Sequence, residues 1–477
     1  MIGCFLATAL GAWLTAAEPP LAKNGSGESG AIELWVDASS ASEGDGTAQR
    51  PFKSLNAALR RANASAAHIH LAAGLYQGPF IFGPSAQLEG SGAAVLFADG
   101  SETVITARGP LRLSNLIVQG GSVGIENAAD VSLNGVAFSG QRSLAVHATS
   151  GSLRAERTTF SASVSEARAV KVEPNVRALF SRCTFQGPFQ RAIELNAPSR
   201  VEISDCFFEG PVTGVHQVAG SAAIHQTKFS GGRGPAIYSA RGTLELVDVD
   251  VYGHEYALQG GANAAIRALR FSSVRAERAA IAMTRATAQL EEITVVDSGS
   301  FGAVQLIAST VGLRRFRLAH PEAYGLFARQ SRVSIDDGAI TDVGDNGGSA
   351  GDGIHARATQ GYIQSVSVLR SAGAGLIAAE ESSLELRDFA VDGCHWGGVI
   401  AESLARVTGS SWTIRRCEAP AIAVPDLAQV DVDVLRSEGN AQGAAWAECD
   451  RGGKLRVSRP HGSAIDTRLS SCVEWRQ

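Results

Sequence analysis

The sequence predicts an all-β solenoid, and three observations predict it. The first is a repeat: Arg177-Ala-Leu-Phe-Ser-Arg-Cys-Thr-Phe-Gln-Gly187 and Arg200-Val-Glu-Ile-Ser-Asp-Cys-Phe-Phe-Glu-Gly210 agree in apolar pattern, cysteine and closing glycine at an offset of 23 residues. A fixed period of this size, filled with short β-type runs, marks coils stacked on one another. The second is composition: 53 glycines, with 6% aromatic and 19% charged residues, suit many tight corners better than long helices. The third is a grammar that recurs from Leu111 onward: apolar-x-apolar, a two-residue turn, apolar-x-apolar, a Gly-containing turn, then small-apolar-x-apolar. Period-two alternation puts the apolar residues inside each coil and the others outside.

In chain order, Met1 to Ala17 resembles a secretory signal peptide, with an apolar run from Phe5 to Leu14 and small residues at Thr15-Ala16-Ala17. Its first residues carry no Lys or Arg. Met1-Ile-Gly-Cys4 also looks like the end of a lipobox, but there the apolar run precedes the cysteine, so cleavage near Ala17 is the preferred reading. An exported protein, periplasmic, secreted or on the cell surface, is expected. Residues 18–32 read as a Pro/Gly/Ser-rich linker. Glu33-Leu-Trp-Val-Asp37 reads as a strand, Gly44 to Arg50 as a polar loop, and Pro51 to Ala62 as a helix with Phe52, Leu55, Ala58, Leu59 and Ala62 on one face. His68-Ile-His-Leu-Ala-Ala-Gly-Leu-Tyr76 follows as an apolar strand ending in a glycine turn. Residues 33–110 form the N-terminal cap and first coils, 111–448 the regular array, and 449–477 the last coil and cap.

Trp35-Val-Asp37, Asp45-Gly-Thr47, Pro51-Phe52, the helix from Leu55 to Ala62 and Ile69-His-Leu-Ala-Ala-Gly-Leu-Tyr76 resemble the N-terminal cap of pectin-lyase-like proteins. The resemblance implies a right-handed parallel β-helix, here of about fifteen coils at this repeat length, with an N-terminal capping helix. It implies a sugar connection and supplies no catalytic residues, because lyases, hydrolases, epimerases and non-catalytic surface proteins share the fold. The Gly-His-Gly and Arg-Ile-Lys signatures of polygalacturonases, the Arg-x-Pro-x-x-Arg pattern of pectate lyases and the Asp-Pro-His-Glu of alginate epimerases do not occur in this chain.

The third strand of each unit sets a register. Its outward residue falls at Glu126, His147, Lys171, Glu194, His216, Tyr238, Gln259, Ala282, Gln305, Phe327, His355, Ile377, Ile400 and Ala423, in steps of 21 to 24 residues except for one of 28. The long step carries Asp342-Val-Gly-Asp-Asn-Gly-Gly-Ser-Ala-Gly-Asp352, expected to protrude as a loop. The two-residue turn often ends in Asn or Asp, at Asn115, Asp205, Asp248, Asp337 and Asp388, which tolerate left-handed backbone. Six cysteines pair by spacing, 183 with 206, 394 with 417 and 449 with 472. One coil apart is within disulfide reach. Cys183 and Cys206 fall at inward strand positions, where reduced thiols form an ordinary core stack; the other two pairs follow a turn and close the C-terminal end. No Cys-x-x-Cys with a His partner suggests zinc.

At ~4.8 Å per coil the outward residues from Glu126 to Tyr238 form a polar stripe about 24 Å long, suited to an extended chain of sugars. Glu126 and Gln259 are candidate substrate-binding residues at its ends. Glu173 and Glu194, one coil apart on the diagonal, are a candidate pair for an inverting hydrolase, which needs two carboxylates about 6.5–9.5 Å apart; Pro174 is placed to end the strand beside Glu173. For a β-eliminating lyase acting on a uronate polysaccharide, Lys171, His147, His216 and Tyr238 divide the cationic and proton-transfer roles. Asp342, Asp345 and Asp352 in the inserted loop are hard-oxygen candidates for Ca²⁺. The net charge of −5 and the lack of a basic patch exclude nucleic acid as the natural partner. A polysaccharide or other cell-envelope component is the expected partner. The competing reading is a non-catalytic scaffold or adhesin whose apolar residues Phe327, Ile377 and Ile400 face a partner protein.

Overall fold

The computed structural model describes residues 31–62, 65–83, 85–196, 198–348, 350–462 and 472–475. The signal-like segment and all but the end of the linker lie outside these. Within them the chain winds into a parallel β-helix of about 17 turns with one α-helix. The count exceeds the expected fifteen because the fourteen coils of the outward column are joined by third-face strands Phe80–Phe82 and Thr103–Ala107 before it and Ala445–Ala447 after it.

At the N-terminal end, Ile32–Val36 pairs in parallel with Ala67–Leu71, and the helix Leu55–Ala62 lies between them in sequence. Ser54 starts the helix by accepting the Ala57 amide on its Oγ at 3.2 Å. The helix buries Leu55, Ala57, Ala58 and Ala62 against the first coil. The loop before it is pinned by Phe52, whose amide donates to the Trp35 carbonyl at 2.9 Å.

Each coil has three strand segments, so three faces run the length of the molecule. The third-face register agrees with the sequence pattern at every position. Glu126 pairs with His147, His147 with Lys171, Lys171 with Glu194, Glu194 with His216, His216 with Tyr238 and Tyr238 with Gln259. The series then continues from Gln259 through Ala282, Gln305, Phe327, His355, Ile377 and Ile400 to Ala423.

From Asn115 to Ser411 one residue per coil between the first and second faces turns the chain through left-handed backbone. Asn115, Asp205, Asp248, Asp337 and Asp388 all do so, with φ from 49° to 57°. The same corner holds Arg157, Arg182, Arg270 and Arg315, which the Asn/Asp rule does not reach. Their guanidinium groups offset the strain by pairing between coils: Arg270 Nη2 lies 2.9 Å from Asp248 Oδ2, and Arg315 Nη2 lies 2.8 Å from Glu292 Oε1.

Inside, Phe138, Phe160, Phe185, Phe208 and Phe229 form a stack with successive ring centroids 5.1, 4.8, 4.5 and 4.5 Å apart. Cys183 and Cys206 are free and buried, with the Cys183 amide 3.3 Å from Cys206 Sγ. Cys394–Cys417 and Cys449–Cys472 are disulfides, with Cα atoms 4.5 and 5.5 Å apart. Among the described residues no helix is long and apolar enough to cross a membrane.

The Phe stack sets a stability test. Phe185 is fully buried between two parallel rings. Phe185→Ala should lower the unfolding free energy by about 3–5 kcal/mol in a denaturant titration. A loss below ~1 kcal/mol would show that neighbouring coils close over the gap.

Candidate functional site

The strands that start at Arg168, Arg191 and Thr213 bring the polar stripe together on the third face. Val170 and Val172 in one coil and Ile193 and Leu195 in the next point inward, and these and the preceding Ala169 and Ala192 are all buried. The outward positions on successive coils are therefore held one strand spacing apart.

Glu194 sits in register between Lys171 and His216, yet only 8% of its side chain is exposed. Two arginines cover it. Arg168 Nη1 approaches Glu194 Oε2 at 3.4 Å and Arg191 Nη1 approaches it at 3.0 Å, and Arg168 and Arg191 are themselves register partners. The carboxylate thus aims two guanidinium groups from neighbouring coils at one patch of the face. Its expected role as a hydrolytic carboxylate in contact with substrate gives way to that of an anchor for the arginines. Sequence reasoning missed both, although each stands three residues before its stripe residue, Arg168 before Lys171 and Arg191 before Glu194.

Glu173 follows the last residue of its strand, which ends at Val172 as Pro174 requires. Its side chain turns back over the stripe. Oε1 takes His147 Nε2 at 3.0 Å and pairs with Lys171 Nζ, and Oε2 accepts from Asn196 Nδ2 at 3.1 Å. Burial pushes this carboxyl up, but hydrogen bonds from Lys171, His147 and Asn196 together outweigh it and hold it down at about 2. A carboxyl so acidic cannot be the protonated acid of a hydrolase at neutral pH, and Glu194 beneath its two arginines is closed to substrate, so the Glu173–Glu194 pair lacks the acid that an inverting hydrolase needs. Lys171 and His147 spend their polar atoms on Glu173.

His216 is different. Burial first, and the positive charge of Arg191 second, lower its pKa, so the ring is neutral. Its Nδ1 has no hydrogen-bond partner, and its ring stacks on Tyr238 with centroids 5.0 Å apart. Glu126 and Gln259 flank the cluster at the two ends of the stripe, where Glu126 is exposed and Gln259 half-buried.

The inserted loop protrudes, with residues 345–348 exposed, but it does not gather its three aspartates. Asp342 is paired with Arg370, whose Nη2 lies 2.7 Å from Oδ2. Asp345 accepts the Gly347 amide at 3.2 Å, as a turn residue does. Asp352, 2% exposed, takes His355 Nδ1 on Oδ2 and the Ala374 amide on Oδ1, both at 2.8 Å. Ion pairing and backbone hydrogen bonds satisfy each carboxylate separately, which is why spacing in sequence did not become a cluster in space. Nor do Phe327, Ile377 and Ile400 form an exposed apolar face. Ile377 is 6% exposed in a small cluster with Ala374, Ala379 and Ile400, and Phe327 packs with Tyr324 and His355 at ring distances of 5.3 and 5.7 Å.

No protein-family model matches the chain, and no curated protein sequence matches it. Among solved structures, the chain is similar to a family 28 exopolygalacturonase from Yersinia enterocolitica, at 10% identity over 77% of this chain and 78% of that one, with a TM-score of 0.35. It is also similar to an α-1,3-glucanase from Streptomyces thermodiastaticus, at 12% identity over 88% and 71% with a TM-score of 0.32. A third likeness is to an alginate lyase from Paenibacillus, at 13% identity over 66% and 97% with a TM-score of 0.27. These likenesses concern the path of the chain and say nothing of its chemistry. The strand pairings define the class: a parallel β-helix whose N-terminal cap runs strand, helix, strand, as the resemblance to pectin-lyase-like proteins implies.

The Glu173 network makes stability pH-dependent. Its folded pKa lies below the ordinary value of 4.5, so its contribution is complete above about 4.5 and is lost as pH falls toward 2. Glu173→Gln should remove about 1 kcal/mol of stability at neutral pH, the pKa shift being discounted for solvent screening, and flatten the acid limb between those values in urea titrations. An acid limb unchanged by the substitution would show that the network contributes nothing to folding.

Proposed function

We propose that the protein binds an extended acidic polysaccharide along the third face and cleaves it by β-elimination. One observation carries this reading: two arginines fixed on a buried carboxylate stand beside a neutral histidine stacked on a tyrosine. β-Elimination needs those parts. A cation must neutralise a uronate carboxylate to acidify the C5 proton, and an uncharged base must remove that proton. Arg168 and Arg191 supply the first and His216 the second. The C5–H electron pair forms the C4=C5 double bond, the C4–O bond breaks, and the departing oxygen takes a proton from the Tyr238 hydroxyl. Lys171 and Glu173 line the path of the chain, with Glu126 and Gln259 at its ends. The signal-like start and the two disulfides support a place outside the cytoplasm.

Incubation with a panel of uronate polysaccharides, with and without calcium, should release unsaturated products that absorb in the ultraviolet. His216→Ala and Arg191→Ala should each reduce the rate by roughly 100-fold or more, and His355→Ala should change it little. Because the base works unprotonated and its pKa lies below the ordinary 6.5, the rate should hold at mildly acidic pH and fall only as pH drops through the lowered value. If no substrate of the panel is bound or cleaved, the reading is wrong. Equal loss in the His355 variant would move the chemistry to the Asp352–His355 pair, whose buried carboxylate orients an imidazole beside Tyr324 and Phe327.

Export has its own test. The secreted, cleaved chain, denatured without reductant, should titrate two thiols, Cys183 and Cys206. Six would show that the disulfides do not form.

A further inference from the structure

The first three coils carry a second group of chemistry-bearing residues, on the first face and remote in sequence from the polar stripe. Glu33 pairs in register with His68, and Trp35 with His70, on adjacent strands. On the next strand His70 pairs with Glu89. Alternation points Glu33, His68, His70 and Glu89 outward together. Glu33 Oε1 lies 3.1 Å from His68 Nδ1, and Glu33 Oε2 lies 2.8 Å from His70 Nε2. From the other side, Glu89 Oε2 lies 3.6 Å from His68 Nε2 and 3.9 Å from His70 Nδ1.

We propose that Glu33, His68 and His70, with Glu89 as a fourth ligand, bind a divalent transition-metal ion of the zinc class that ties the first three coils together. One ligand atom from each of Glu33, His68 and His70 lies within 4.8 Å of the others, and among the described residues no other His/Cys/Asp/Glu group of three or more does so. Ligands at about 2.0–2.2 Å from a common ion stand at most ~4.4 Å apart, so side-chain rotation alone closes the set. Charge points the same way. Many acidic side chains elsewhere on the surface pair with arginines, as Asp248 does with Arg270 and Asp342 with Arg370. Among the described residues, Glu33 and Glu89 have only the two histidines for ion-pair partners. With neutral imidazoles the cluster carries two uncompensated negative charges, which a divalent ion balances.

Donor type selects the ion. Two imidazoles with two carboxylates suit Zn²⁺ and its first-row neighbours, whereas Ca²⁺ and Mg²⁺ prefer oxygen-only sets. His68 Nε2 is buried with no hydrogen-bond partner, so one imidazole nitrogen is not consumed by the protein. Trp35 stacks on His70 with ring centroids 4.9 Å apart and planes at 20°, which fixes that ring's orientation. Glu33 and His68 also line one end of a groove of about 830 Å³ that continues past Arg112, Asp130 and Arg154. The ion therefore has a path in from solvent.

The test uses the untagged full chain, stripped with chelator and titrated calorimetrically with ZnCl₂, with Co²⁺ absorbance as a second probe of the ligand field. One ion per chain is expected, with a rise in Tm that chelator reverses. His68→Ala and His70→Ala should weaken Zn²⁺ binding at least tenfold and abolish the Tm rise, while circular dichroism in the absence of metal matches that of the parent. Should either alanine variant fail to fold, Glu33→Gln keeps the side-chain shape and should still weaken binding tenfold. No saturable Zn²⁺ binding, or binding undiminished in a folded His68→Ala/His70→Ala double variant, overturns the site. Calcium binding as tight as zinc overturns the choice of ion.

Discussion

From Asn115 to Ser411 each coil turns from its first face to its second at one residue held in left-handed backbone, and the rest of the structure depends on that corner recurring. Because the bend occurs at the same phase in each of these coils, the strands on either side fall into parallel pairing. Left-handed backbone is costly for residues with a Cβ. Here the cost is spread over many coils and offset where corner side chains pair with those above and below. Parallel pairing then stacks like on like, which is how five phenylalanines come to lie face to face and two thiols to lie one above the other.

The same stacking turns the outside of the coil into columns of fixed spacing, so charge must be balanced along a column. On the third face the balance is local. Glu194 is shared by two arginines, and Glu173 gathers a lysine, a histidine and an amide. His216 Nδ1 is left without a hydrogen-bond partner, and burial lowers the proton affinity of this ring. On the first face, near the cap, two glutamates are left with histidines alone. At both places a ligand has something to add.

Much of the architecture was legible from the chain. The outward column from Glu126 to Ala423 matched the observed register throughout, because a side-chain period of two admits no half-step. The left-handed corners at Asn115, Asp205, Asp248, Asp337 and Asp388 were legible for the same reason that Asn and Asp favour them. The candidate site was read less well. Register told that Glu194 lies on the stripe, but not that Arg168 and Arg191 would fold over it and take it out of solvent. Aspartates 342, 345 and 352 are near neighbours in sequence, yet Arg370, a turn amide and His355 claim them one by one. Phe327 and Ile377 are outward by phase, yet Phe327 is half-buried against Tyr324 and His355 and Ile377 is buried with Ala374, Ala379 and Ile400.

The sequence by itself determined the coil, its phase and which residues share a face, since these follow from periodicity and from the backbone preferences of individual residues. Only the tertiary structure decided which side chains on a face meet, which carboxylates are spent on arginines and which imidazoles stay neutral. Those outcomes depend on rotamers, burial and pairing between coils more than twenty residues apart, and none of these is written in the spacing of the repeat.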